Sequence, residues 1–249
     1  MFCVYSRSDN VAMLWSPKSA CTELRQLFYW LHEKDMLHER PTNQWHNIEK
    51  DFPTKANPDR AFYVSRHPFL RCISGYCHFF RQICSEQEAY RKPILAAFHR
   101  HMGANAKQTF RNFVIYLWRA AKAKDRSTNI HFRAQTDSVV SISWLKVKVI
   151  HLEKGNLDKE ISDWYQANLG HDQYRSKINE FFATPHPKNI TAKKRTEGSI
   201  RDIVNAELSS PFPLPEQFFD EGLVKMIEQA FSADYEFLGY KKGLINIPR

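Results

Sequence analysis

No apolar run in this 249-residue chain approaches the ~20 residues that a membrane-spanning helix needs, so the sequence offers no bilayer anchor. No CxxC pair is present either. The five cysteines, Cys3, Cys21, Cys72, Cys77 and Cys84, form an odd set, and no apolar signal precedes the first charged residues. A soluble protein in a reduced, cytoplasmic setting is the expectation. Repeats, low-complexity tracts and linkers are also missing, which predicts one domain over residues 1–249, a size that buries a full core. Acidic residues are in deficit, 27 against 36 Lys and Arg, for a net charge of +9 and a pI near 9.3. An anionic partner follows. Charge alone does not separate nucleic acid, a sulfated or carboxylated glycan, and a phosphorylated cofactor.

Hydrophobic residues are plentiful at 43% with 14% aromatics, which excludes a disordered or fibrous chain. Val11–Trp15 and Ala61–Val64 have the branched and aromatic composition of buried strands, and a helical pattern follows each. Leu24, Leu27, Phe28 and Leu31 recur at helical spacing after Thr22; Pro68 stands where a first helical turn accepts proline, ahead of Cys72, Ile73 and Tyr76. A third strand is predicted at 147–152, with amphipathic helices near 107–123, 156–168 and 216–232. The alternation implies an α/β fold, a parallel sheet flanked by helices. Prolines from 185 to 215 make 170–214 read as long loops around one short helix near 199–208.

Chemistry concentrates at two strand-to-helix corners, where helix N-termini face outward beyond the strands' carboxyl ends and favour anions. The first is Ser16-Pro17-Lys18-Ser19-Ala20-Cys21-Thr22: a lysine, small residues that let backbone wrap an anion, and a hydroxyl at the helix start. It has no glycine and is not the GxxxxGK[ST] phosphate loop. The second corner sets Arg66 at the strand end and Ser74 two turns into the following helix, within Arg66-His67-Pro68-Phe69-Leu70-Arg71-Cys72-Ile73-Ser74. Taken singly, each corner is equally a capped helix with solvated cations.

Together, and in this order, the corners resemble the family 2 sulfotransferases, among them the carbohydrate sulfotransferases for chondroitin, dermatan and the HNK-1 glycan. The resemblance implies a P-loop-like sulfotransferase fold that uses 3′-phosphoadenosine 5′-phosphosulfate (PAPS) as donor. It implies that Pro17, Lys18, Ser19, Ala20, Cys21 and Thr22 bind the 5′-phosphosulfate and that Arg66 and Ser74 bind the 3′-phosphate. Ile130-His131-Phe132-Arg133-Ala134-Gln135 is similar to the family's H-W/F-x-P-Q segment, and Asp234-Tyr235-Glu236-Phe237-Leu238-Gly239-Tyr240 to its closing D-F-x-x-F/L-G-Y. Departures are Ala134 for a proline, His67 for an acidic residue or asparagine, the missing loop glycine, and the missing amino-terminal anchor.

The implied activity is sulfuryl transfer to a carbohydrate hydroxyl, on a polysaccharide or glycoconjugate. Such in-line transfer gains most from positioning and from cations on the leaving group, which makes Lys18 the candidate electrostatic catalyst. A histidine base suits the acceptor hydroxyl, and His131 leads His67, His101 and Glu153 by lying in the acceptor-side segment. Lys193, Lys194 and Arg195 are either a basic loop on the 3′-phosphate or a solvated cluster. His99 and His101 without a cysteine pair make a poor metal site, so no metal is expected. Trp15, Phe69 and Trp118 fall at core spacing. Two alternatives remain open on the residues: a nucleotide-dependent kinase, which wants loop glycines and an acidic strand end, and a basic nucleic-acid-binding module, which wants interleaved aromatics.

Overall fold

Consecutive apolar residues at Val11–Trp15 and Ala61–Val64 cannot present a polar face, so these strands are stable only when covered on both sides. In the computed structural model they pair in parallel, Val11 opposite Arg60 through Trp15 opposite Val64. The structure describes residues 2–6, 9–32, 60–77, 80, 88–139, 147–170, 172–183, 202, 215–218 and 220–243. Strand β1 (Phe2–Ser6) runs antiparallel to β2 (Val11–Trp15); β3 (Arg60–Ser65) and β4 (Val147–His151) extend the sheet in parallel, in the order β1-β2-β3-β4. The expected α/β architecture is thus present. The short antiparallel edge strand was not anticipated.

The chain divides into two compact units, one of residues 1–66, 137–190 and 248–249, the other of 67–136 and 191–247. The first unit holds the sheet, helix α1 (Cys21–His32) and helices Leu157–Leu169 and Asp172–Ala183. Its core packs Val11, Met13 and Trp15 of β2 and Phe62 and Val64 of β3 against Leu24, Leu27 and Phe28 of α1 and Ile161, Trp164 and Tyr165. Helix Asp172–Ala183 corrects the reading of 170–214 as loop. Its buried stripe is only Tyr174 and Ile178, one turn apart, too narrow a signal to stand out beside the prolines that follow.

The second unit is helical: Pro68–Ser74, Glu88–Met102, Phe110–Lys122, Glu221–Ala230 and Ser232–Phe237. Its interior is aromatic. Tyr76, Phe80, Phe110, Phe113, Phe132 and Phe218 are all buried, with Phe110 to Phe218 at 4.8 Å and Phe113 to Phe132 at 5.0 Å between ring centroids. A methyl on Gly75 would stand 3.4 Å from the Phe132 ring, so a larger residue there would push on the segment that carries His131. Helix Glu88–Met102 escaped the sequence reading because Pro93 lies inside it, where proline ordinarily marks a break. Among the described residues no helix is long and apolar enough to cross a membrane.

Candidate active site

The register that places Trp15 beside Val64 carries the chain at both strand ends to one place, the carboxyl ends of β2 and β3. After β2 the chain makes a tight turn in which the Ser19 N–H donates to the Ser16 carbonyl at 3.2 Å. Pro17 occupies the second position and Lys18 the third, with φ +74°. That is a type II turn, whose third position ordinarily belongs to glycine. Ala20 also has positive φ, +58°, while Ser19 between them does not. Each such non-glycine residue costs on the order of 1–2 kcal/mol. The loop therefore obtains without glycine the alternating backbone handedness that turns successive N–H groups into an anion-binding concavity.

The surroundings hold this shape. Ser19 is fully buried, its hydroxyl 2.8 Å from that of Ser16, and the Cys21 thiol donates to the Ser16 carbonyl at 3.6 Å. The Leu24 N–H donates to the Ala20 carbonyl at 2.9 Å, so Ala20 is the N-cap of α1. An alanine has no side-chain acceptor for the N–H groups of the first turn, which leaves that end of a three-turn helix suited to an external anion. Thr22 is exposed there and Lys18 half-buried. From the end of β3, the Arg66 guanidinium donates to the Lys18 carbonyl at 3.2 Å, so two motifs 48 residues apart meet. Strand β4 ends beside them with His151 opposite Ser65, whose hydroxyl donates to the Ile150 carbonyl at 3.4 Å.

Basic residues, small residues and a helix start converge here, and residues 16–22 include no Asp or Glu. A model described as "Sulfotransferase family" matches residues 3–241, nearly the whole chain. The chain belongs to the sulfotransferase family. No curated protein and no solved structure matches it. This sulfotransferase is accordingly an enzyme of sulfuryl transfer, and the readings as a kinase and as a nucleic-acid-binding module without catalysis fall away.

The second unit of the sulfotransferase contains the remaining motif residues. His67 is buried, and its Nδ1 accepts the Phe69 N–H at 3.2 Å. It thereby does the capping that an aspartate or asparagine does at such a position, which accounts for the departure from the family pattern. Its ring lies 5.4 Å from Tyr235 and 5.1 Å from Tyr240. Arg71 is buried too, donating to the Arg133 carbonyl at 2.6 Å and that of Ile130 at 3.4 Å, so it holds the 130–133 segment in place. Ser74, half-buried, ends the same helix.

Two segments resembling the family a hundred residues apart are joined by one carboxylate. Asp234 accepts from the Gln135 and Thr136 N–H groups, both at 2.9 Å, from the Thr136 hydroxyl at 2.8 Å and from the Gln135 amide at 3.3 Å. Burial pushes its carboxyl above the usual range, opposed by the charge of Arg71 and by these hydrogen bonds. His131 is half-buried. Asn129 Oδ1 accepts its backbone N–H at 3.0 Å and lies 2.7 Å from its Nδ1. An amide oxygen only accepts, so Nδ1 is the donor of this pair, and in the neutral ring the lone pair then belongs to Nε2.

The other candidates have structural partners. His101 Nε2 lies 2.7 Å from Asp125, and His99 Nδ1 lies 3.1 Å from the Gly103 carbonyl. Glu153 sits half-buried in the turn after β4. Lys193, Lys194 and Arg195, and the helix expected near 199–208 apart from Asp202, lie outside the described residues. Trp15 and Phe69 are buried as expected, while Trp118 is half-buried with Lys122 3.9 Å over its ring.

Sequence reasoning missed a network in the first unit. His32, at the end of α1, has Nδ1 2.5 Å from Asp9 and Nε2 2.8 Å from the Tyr165 hydroxyl. Burial lowers the His32 pKa against the pull of Asp9 and raises that of Tyr165 well above its ordinary value. The arrangement is an ionised Asp9, a neutral His32 donating to it, and a Tyr165 hydroxyl donating to Nε2. No local motif marks it, because Asp9 and Tyr165 are 156 positions apart.

Proposed function

We propose that this sulfotransferase takes its sulfuryl group from PAPS and delivers it to a hydroxyl of a carbohydrate, either a polysaccharide or a glycoconjugate. The observation that carries the reading is the 16–22 corner: alternating backbone handedness built without glycine, at the start of a helix whose N-cap is an alanine. The donor residues fit a phosphosulfate, because the corner supplies N–H groups, a lysine and the Arg66 guanidinium, with no acidic residue from 16 to 22. PAPS supplies an activated sulfuryl group whose departure leaves negative charge on the 5′-phosphate. Lys18 neutralises that charge, and the Ser19–Thr22 backbone holds the phosphate. Arg66 and Ser74 are assigned to the 3′-phosphate, with Lys193, Lys194 and Arg195 as further cations for it. His131 takes the acceptor proton at Nε2, held in that tautomer by Asn129.

Thermal shifts with adenosine 3′,5′-bisphosphate, ATP plus Mg²⁺, and an oligonucleotide test the donor: only the first should stabilise strongly. Transfer of label from PAPS to a panel of polysaccharides and glycolipids tests the acceptor, and labelling of none of them would overturn the carbohydrate reading. His131→Ala should lower kcat about 10²–10⁴-fold with cofactor affinity retained. A full rate in that variant removes His131 from the chemistry.

A further inference from the structure

The net charge of this protein is not spread over the chain. Residues 91–126 hold nine of its 36 Lys and Arg and a single acidic residue, Asp125, leaving 27 basic against 26 acidic residues everywhere else. That segment lies within the second unit, and its residues 100–101 and 119–127 meet at one corner. Helices Glu88–Met102 and Phe110–Lys122 end there together, since the Arg119 guanidinium donates to the His101 carbonyl at 2.7 Å. The 123–127 turn closes the corner. Arg100 reaches Asp125 at 3.3 Å and the Ser127 hydroxyl at 2.7 Å, and His101 reaches the same carboxylate.

Cations at helix C-termini have an ordinary explanation, which is to offset the negative end of the helix dipole. The magnitudes show that it is insufficient. Arg100, Arg119, Lys122, Lys124 and Arg126 are all exposed, and against these five charges stand Asp125 and two helix ends of about half a charge each. About three positive charges remain on one small, water-facing surface.

We propose that this corner binds a stretch of anionic polysaccharide. The inference rests on the carbohydrate reading of the acceptor and assigns to it a binding surface distinct in residues from the 16–22 corner. A regularly spaced polyanion is what such a surface fits, because it offers cationic donors on flexible stems, and among the described residues no exposed aromatic ring stands in it for a base to stack on. Among the described side chains of the two helices, Phe98, Phe110, Phe113 and Tyr116 are buried, and one Trp118 face is covered by Lys122 while its indole N–H donates to Gln229 at 2.7 Å. Single-stranded nucleic acid binding draws on exposed stacking platforms. A membrane surface would call for apolar residues to insert, and among the described residues the exposed large hydrophobics are Ile130 and Phe237, neither of them in the two helices or the 123–127 turn.

Binding is measured on the whole protein without PAPS, against chondroitin sulfate, neutral dextran, oligo(dT) and phosphatidylserine vesicles over a range of salt. The variant is Lys124→Gln/Arg126→Gln, whose side chains are exposed; the control is Lys154→Gln/Lys159→Gln, an equal change of charge at exposed lysines in the first unit. Chondroitin sulfate should bind best, with a log K against log salt slope that falls by about 2 in the variant and little in the control. Equal falls in the two pairs would show a diffuse field and overturn the site. Preference for oligo(dT) or for vesicles would replace the polysaccharide by that partner. Because no turnover is involved, failure of sulfuryl transfer to polysaccharides would sink the acceptor reading without altering this result.

Discussion

The two strand-to-helix corners have nearly the same sequence grammar and opposite internal economies. At the second, His67 Nδ1 accepts the Phe69 N–H, Pro68 removes one donor, and the helix is a seven-residue segment that satisfies its own start. At the first, the N-cap is Ala20, which accepts nothing with its side chain, and the chain tolerates two left-handed residues to reach it. An anion cradle is a helix start that the fold has not satisfied from within. Each corner accordingly makes a distinct contribution: the first its backbone, the second the Arg66 side chain that returns to the Lys18 carbonyl.

Substitution at Lys18 tests the first half of this comparison and should have the largest effect of the changes at the two corners. Lys18→Ala keeps the strained backbone and removes the charge, so kcat should fall on the order of 10²–10³ with folding intact. Lys18→Gly removes charge and strain together. It should be equally inactive yet melt no lower than Lys18→Ala, and about 2–4 °C higher for each 1 kcal/mol of strain released. Calorimetry on both variants reads this directly, and a glycine variant that melts lower than the alanine variant would mean that φ +74° is not a strained position.

Arg66 is next in size. As a 3′-phosphate ligand, Arg66→Ala should weaken adenosine 3′,5′-bisphosphate by roughly 1.5–3 kcal/mol and leave adenosine 5′-phosphosulfate nearly unchanged. If its work is instead to hold the Lys18 carbonyl, both ligands should lose affinity alike. Titration calorimetry with the two ligands separates these outcomes.

How much was legible follows from whether a signal is local. Val11–Trp15, Ala61–Val64 and the helices after them were readable because burial on both faces or along one stripe is written in consecutive residues. The first corner was readable as residue types, but its geometry was not, since nothing in Pro17-Lys18-Ser19-Ala20 declares that Lys18 and Ala20 adopt positive φ. Gln135 with Asp234, and Asp9 with His32 and Tyr165, were illegible as contacts because tertiary folding alone brings them together. The second network has a pH signature. His32 has a pKa below its unfolded 6.5 because burial disfavours the charged form, so its contribution is present above 6.5 and lost as pH falls through the folded value. Melting temperature should drop on acidification below 6.5, and His32→Gln should flatten that part of the profile. An unchanged slope would show that another group titrates there.

The smallest expected effect falls on His67 and bears on the second half of the comparison. If this residue only closes the helix start, His67→Ala should cost about 0.5–2 kcal/mol for the cap, plus the packing of its ring against Tyr235 and Tyr240. His67→Asn supplies a new acceptor and forfeits only the ring. The difference between the two variants then measures the cap, and the difference between His67→Asn and the parent measures the ring. Neither variant should alter kcat or the affinity for adenosine 3′,5′-bisphosphate once each is assayed below its own melting range. A His67→Asn protein that melts like the parent and has lost turnover would show that the imidazole takes part in transfer. The second corner would then be an active element, and His131 would have a rival as the base.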